Sequence, residues 1–252
     1  MPFLKKIISS LASVFYYGAY LITILVFHPI QWLSLNIFGY TAHKITVDYL
    51  SFFLMRCVWF LGASVKFKKL YKIPKDKPII IVSNHQSTQD IAPLMWCFRA
   101  NHPKYVAKKE LERGIPSLSF NLRHGGSVLI NRHNPKQAIT ALKNFGIYIA
   151  KNNYAAIIFP EGTRGKDGQM KPFKDNGLKI LTKYMPEAVI VPVTINNSYK
   201  VYKYGKFPLH LGDKIQFVIH KPFSANTIPF KELIPYLETT IKSGLVKNNS
   251  SN

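Results

Sequence analysis

Three short stretches hold residue types that can move a proton or grip an anion. The first reads Ser83-Asn84-His85-Gln86-Ser87-Thr88-Gln89-Asp90. A histidine that gives one ring N–H to a carboxylate is fixed in one tautomer, and its other nitrogen is free to take a proton. His85 and Asp90 are the candidates for that pair, as general base and partner. Five positions apart on one continuous helix they would face roughly 140° apart. His85 must therefore precede the helix that carries Asp90. The Ser87-x-x-Asp90 spacing resembles a capping arrangement, with Ser87 at the N-cap and Asp90 in the first turn. Pro93 falls inside that helix and predicts a kink or a shortening. The same spacing also arises where an aspartate only caps a helix, so the pair gains meaning from its neighbours.

The other two stretches are cationic. Phe159-Pro160-Glu161-Gly162-Thr163-Arg164 closes an apolar run with a glycine turn, a hydroxyl and a guanidinium. Gly162 permits close backbone approach, Thr163 offers a hydroxyl, and Arg164 can hold a phosphate through two parallel hydrogen bonds. Arg132 follows another apolar run, and two such arginines would form a phosphate clamp. Glu161 either binds substrate hydroxyls or, the preferred reading, holds an arginine in orientation. Lys108, in Tyr-Val-Ala-Lys-Lys-Glu-Leu, extends the basic surface toward a ligand, against the ordinary alternative of a solvated lysine.

Elements must bring these stretches together. The runs PIIIVS, VLIN, AAIIF, AVIVPVTI and KIQFVIH read as strands, several of them apolar on both faces. Between them, residues 134–151 place Ala138, Ala141, Leu142, Phe145 and Tyr148 at helical spacing. Alternating strands and helices make an α/β domain, in which ligands bind beyond the carboxyl ends of strands. His85, Arg132 and Glu161 all follow apolar runs directly.

The N-terminal quarter has a different character. Residues 7–26 contain no charge and are long enough to cross a bilayer as a helix; residues 49–65 form a second such stretch, broken only by Arg56. Lysines flank both outer ends, and the connection carries only Lys44, so positive-inside logic puts both ends on the cytoplasmic side. This describes a membrane-associated helical hairpin over residues 1–66, either spanning or partly immersed in one leaflet. An α/β domain over 67–246 and a polar tail over 247–252 complete the organisation.

The 252 residues hold 34 Lys and Arg against 12 Asp and Glu, a formal charge of +22. Such a balance suits nucleic acid, an anionic membrane surface or a phosphorylated substrate. With 47% hydrophobic and 13% aromatic residues, the membrane surface is favoured. No helix carries a dense basic stripe, which argues against nucleic acid as a partner. Cys57 and Cys97 encode neither a disulfide framework nor a zinc site, and no motif asks for a metal or cofactor.

With these residues in view, the sequence resembles the lysophosphatidic acid acyltransferase family within the glycerolipid acyltransferases. Four ordered pieces between residues 77 and 195 carry the resemblance. They are Asn84-His85 with Asp90, Gly126-Ser127-Val128-Leu129-Ile130-Asn131-Arg132, Glu161-Gly162-Thr163-Arg164, and Ile190-Val191-Pro192-Val193. Asn131 stands where an acidic residue is common and Gly165 where serine is frequent. The resemblance implies a mixed sheet flanked by helices behind an N-terminal helical pair. It also implies acyl transfer from an acyl thioester, acyl-CoA or acyl carrier protein, to the sn-2 hydroxyl of 1-acylglycerol 3-phosphate. His85 can serve as general base without an enzyme nucleophile, and the chain lacks a G-x-S-x-G elbow. Rival readings are an acyltransferase for another lysolipid or glycerol 3-phosphate, and a non-catalytic basic protein of the membrane surface.

Overall fold

A computed structural model describes residues 2–69, 71–131, 133–165 and 167–246. Arg132 and the polar tail 247–252 lie outside the described residues. The five apolar runs become β2 (Ile79–Ser83), β4 (Val128–Ile130), β5 (Ala155–Ile158), β6 (Val189–Asn196) and β7 (Lys214–Ile219). They join β1 (Ser64–Lys69), β3 (Pro103–Lys108) and the short β8 (Phe223–Ser224) in one sheet. Its order is β1-β7-β6-β2-β5-β3-β4, with β8 paired to β6. The strands from β6 to β4 are mutually parallel, while β7 runs antiparallel to β6 and parallel to β1. The sheet is mixed, as expected, and the carboxyl ends of β2, β3, β4, β5 and β6 share one edge.

Two apolar layers sandwich the sheet. Along β2 and β5, Ile79, Ile81, Ala155 and Ile157 point into one core, and Ile80, Val82, Ala156 and Ile158 into the other. The second core is filled by Phe145 and Ile149 of α4 (Pro135–Asn152), Leu178 and Leu181 of α5 (Asp175–Tyr184), and Leu233, Leu237 and Ile241 of α6 (Phe230–Ser243). β2 is buried on both faces, which is why it reads as a continuous apolar run. The first core takes Leu94 of α2 (Ile91–Cys97), Leu122 of α3 (Leu118–His124) and the inner side of the N-terminal helix.

That helix, α1 (Phe3–Arg56), is broken at Gly39, where φ 80° and ψ −173° are open only to glycine. The two arms fold back antiparallel. Ser34 Oγ lies 2.8 Å from Thr46 Oγ1, the Phe27 and Phe53 rings are 5.7 Å apart, and Phe15 stacks on Phe60. A helical hairpin is present, but the connection expected over 27–48 is itself helix apart from the break. The second arm stops early: a 3-10 turn (Cys57–Leu61) leads to Gly62 at φ 64°, and β1 begins at Ser64, inside the stretch read as helix. Val65 and Phe67 alternate with lysines, the period of an edge strand, and β1 is the outermost strand.

Candidate active site

β2 ends at Ser83, and Asn84 carries its ladder one step further. Its side-chain oxygen accepts from Ile195 N (2.7 Å) and its amide donates to Ile195 O (2.9 Å), so it stands in for a backbone pair against β6. The chain then leaves the sheet at His85 and turns through a 3-10 helix (Thr88–Asp90) into α2. Ser87 caps this turn: its hydroxyl accepts from Gln89 N, and Asp90 Oδ2 accepts from Ser87 N at 2.9 Å. Pro93 does not kink the helix. Because α2 starts only at Ile91, Pro93 sits in the first turn, where an N–H has no helical partner to lose.

This geometry puts His85 over Asp90. The His85 Nδ1 to Asp90 Oδ2 distance is 2.8 Å, with the Asp90 side chain fully buried and that of His85 17% exposed. Gln86 N (2.7 Å) also donates to Oδ2, and Ser198 Oγ donates to Oδ1 at 2.5 Å. A carboxylate so supplied with donors receives the Nδ1 proton of the imidazole and leaves Nε2 with its lone pair. The imidazole stacks on Phe159, centroids 4.1 Å apart, which fixes its plane. Phe159 ends the AAIIF run, a position from which it could be placed at the site by sequence.

Glu161 holds the two loops together. Its Oε1 accepts from His85 N (2.7 Å), its Oε2 from Lys171 N (2.9 Å), and Gly165 N donates to His85 O (2.7 Å). Burial pushes its carboxyl above the ordinary range, while the two backbone amides and nearby positive charge pull it down. Among the described residues, Glu161 hydrogen-bonds these two backbone amides and no arginine, so there it acts as a clamp between the loops; Arg132 lies outside those residues.

The cationic groups gather at the same sheet edge. Gly162 turns the chain at φ 72°, and the Lys174 side chain passes 3.6 Å from where a methyl on it would lie. Lys171 Nζ donates to Thr163 Oγ1 and to Arg164 O, both at 3.0 Å. Thr163, Arg164 and Lys108 are exposed. Lys108 ends β3 opposite Ile130 of β4, two residues before Arg132, whose side chain lies outside the described residues. Lys171 and Lys174 were not singled out by spacing; in so basic a chain, only their closeness to the glycine turn distinguishes them.

A parallel sheet edge, a half-buried histidine on a buried carboxylate and a cationic loop define an α/β site able to combine proton transfer with anion binding. A family model described as Acyltransferase matches residues 64–196, just over half the chain. A chloroplastic 1-acyl-sn-glycerol-3-phosphate acyltransferase of Brassica napus is 31% identical over 171 residues, covering 64% of this chain and 48% of its own. One from Helicobacter pylori is 38% identical over 127 residues, covering 49% and 50%. The chain spans about half the length of most curated relatives it matches. The crystal structure of the 1-acyl-sn-glycerophosphate acyltransferase PlsC from Thermotoga maritima is similar with a TM-score of 0.78, at 26% identity and 95% coverage of both chains. The chain belongs to the acyltransferase family.

Proposed function

We propose that this protein moves a fatty acyl group from an acyl thioester, acyl-CoA or acyl carrier protein, to the sn-2 hydroxyl of 1-acyl-sn-glycerol 3-phosphate, giving phosphatidic acid. The observation that carries this reading is the buried His85–Asp90 pair beside a loop rich in cations. The activity for which the similar proteins are named supports it. His85 Nε2 takes the hydroxyl proton as the oxygen attacks the thioester carbonyl. The carbon–sulfur bond then breaks, and the departing thiolate takes that proton back from the imidazolium. Arg164 and Arg132, with Lys108 nearby, hold the acceptor phosphate.

The hairpin gives the site its location. Its inner side is docked along its length: Ser13 Oγ accepts from Leu209 N, Gln89 reaches Tyr16, Ser117 Oγ donates to Ile24 O, and Tyr40 OH reaches Gly125 O. A hairpin held this way would have to strip the sheet of its cover to cross a bilayer. We therefore read it as lying in one leaflet, with the catalytic domain on the cytoplasmic face.

Thioester consumption by membranes holding wild type, His85→Ala or Arg164→Ala, with 1-acylglycerol 3-phosphate as acceptor, tests the reading. His85→Ala should lose turnover by at least about 10³-fold, while Arg164→Ala raises the acceptor KM. Substantial turnover by His85→Ala removes the general base. Wild-type turnover only with another lysolipid or glycerol 3-phosphate reassigns the acceptor.

A further inference from the structure

The turn after β6 is the least sequence-marked part of the site, yet it reaches the centre of it. Asn197, at φ 66°, follows β6 and caps a 3-10 turn (Ser198–Tyr202). Ser198 is fully buried. Its backbone N–H donates to Gln86 Oε1 at 3.1 Å, and its hydroxyl donates to Asp90 Oδ1 at 2.5 Å. The four residues that set the pair, Gln86, Ser87, Asp90 and Ser198, thus come from two segments more than 100 positions apart.

The two carboxylate oxygens of Asp90 are served unequally. Oδ2 accepts from His85 Nδ1, Gln86 N and Ser87 N, all within its own loop. Among the described residues, Oδ1 accepts from Ser198 Oγ, and apart from it only from Ser87 Oγ at 3.4 Å, a long and weak bond. The three donors to Oδ2 already place it against the imidazole; Ser198 adds a short hydrogen bond to the other oxygen from outside the loop, and so braces the far side of the carboxylate that holds the Nδ1 proton. Further along, Tyr202 OH meets Thr88 Oγ1 (2.7 Å) and accepts from Gln89 Nε2 (3.0 Å), which also reaches Tyr16 of the hairpin. The serine is therefore anchored at both ends of its turn.

We propose that Ser198 is a positioning residue for acyl transfer, acting through Asp90 on the His85 imidazole; this rests on the preceding reading of His85 as the base. It does not touch substrate. A serine that only supported the fold would change expression or stability, and its effect on rate would multiply with that of any other variant. A serine that acts through Asp90 has nothing left to do once Asp90 no longer holds the imidazole.

The test is a double-mutant cycle of Ser198→Ala and Asp90→Asn, measured as kcat and KM for donor and acceptor in membranes. Ser198→Ala should lower kcat on the order of 10- to 100-fold, the effect of one hydrogen bond to a charged group, with both KM values unchanged. Ser198→Cys, which keeps the volume and a weak donor, should recover part of that loss. In the Asp90→Asn background, Ser198→Ala should cost less than about threefold. Unchanged kcat in Ser198→Ala, a loss confined to KM, or full multiplication in the double variant overturns the proposal while leaving His85 as base. Turnover retained by His85→Ala overturns both.

Discussion

Lys104 shows what a single side chain's surroundings decide. It lies in β3, only 5% exposed, with its Nζ 5.2 Å from the Tyr40 ring and 5.6 Å from that of Tyr154. No carboxylate lies within ion-pair distance of it among the described residues. Burial first, and then the neighbouring Lys44, lower its ammonium from 10.5 to about 8. The unfolded chain therefore binds more protons than the folded one between about pH 8 and 10.5, and stability rises with pH across that window. Below pH 8 the full cost of the buried charge is present. Lys104→Met keeps the volume and removes the charge, and should raise stability at pH 7 on the order of 3 kcal/mol. Thermal unfolding in detergent checks it: the gain should be large at pH 7 and small at pH 10.5, and a lowered Tm at pH 7 would contradict the assignment. The His85–Asp90 pair was legible in the sequence because a cap and its first turn are local. Glu161 was recognised but its backbone partners were not, since the amides it binds belong to His85 and Lys171, one of them 76 positions away. Ser198 and Lys104 carry no local signature at all, because what makes them unusual is burial.

Among the elements, the hairpin turn isolates a backbone effect. At Gly39 an added methyl would meet nothing within 4 Å, so Gly39→Ala tests only the conformation, which costs about 1–3 kcal/mol for any other residue. Gly18 is the control: it too has open space around it but sits in regular helix, where alanine should stabilise by about 0.5–1 kcal/mol. Thermal unfolding of both variants should therefore move in opposite directions, with the Gly39→Ala loss accompanied by faster hydrogen exchange in residues 34–46. Equal shifts would place the reversal elsewhere. Strands buried on both faces were legible as apolar runs, and α4 was legible from its spacing; the structure adds the Asn134 cap, which accepts from Gln137 N at 3.0 Å. β1 and β3 were not, because lysines interrupt Ser-Val-Lys-Phe-Lys-Lys and Pro-Lys-Tyr-Val-Ala-Lys. Edge position explains the first and the buried Lys104 the second.

At the scale of the whole molecule, the hairpin is inside out by the standards of a protein in water. Ser9, Ser13, Gln31, His43, Thr46 and Ser51 are buried against the rest of the chain, while Phe3, Leu11, Phe15, Ile22, Trp32 and Phe38 face outward. The most apolar 18-residue stretch within 3–61 has a mean hydropathy of 1.7, and the helix is long and apolar enough to cross a membrane. We read this outward apolar surface as the lipid contact of the proposed one-leaflet arrangement, in which each Leu, Ile or Phe that enters hydrocarbon would contribute about 1.5–3 kcal/mol. The net charge of +22 adds attraction to anionic headgroups. Leu11, Val14 and Ile22 are 58%, 59% and 62% exposed, so replacing all three with glutamate leaves the inner side of the arm and the Phe15–Phe60 stack in place. The triple variant should fold with a Tm within a few degrees of wild type in detergent, yet fail to sediment with anionic vesicles. Its turnover should fall sharply on acceptor embedded in vesicles and persist on acceptor dispersed in detergent, because the base and the cationic loop are untouched. Vesicle binding equal to wild type would show that the outer side of the hairpin is not what seats this enzyme on lipid.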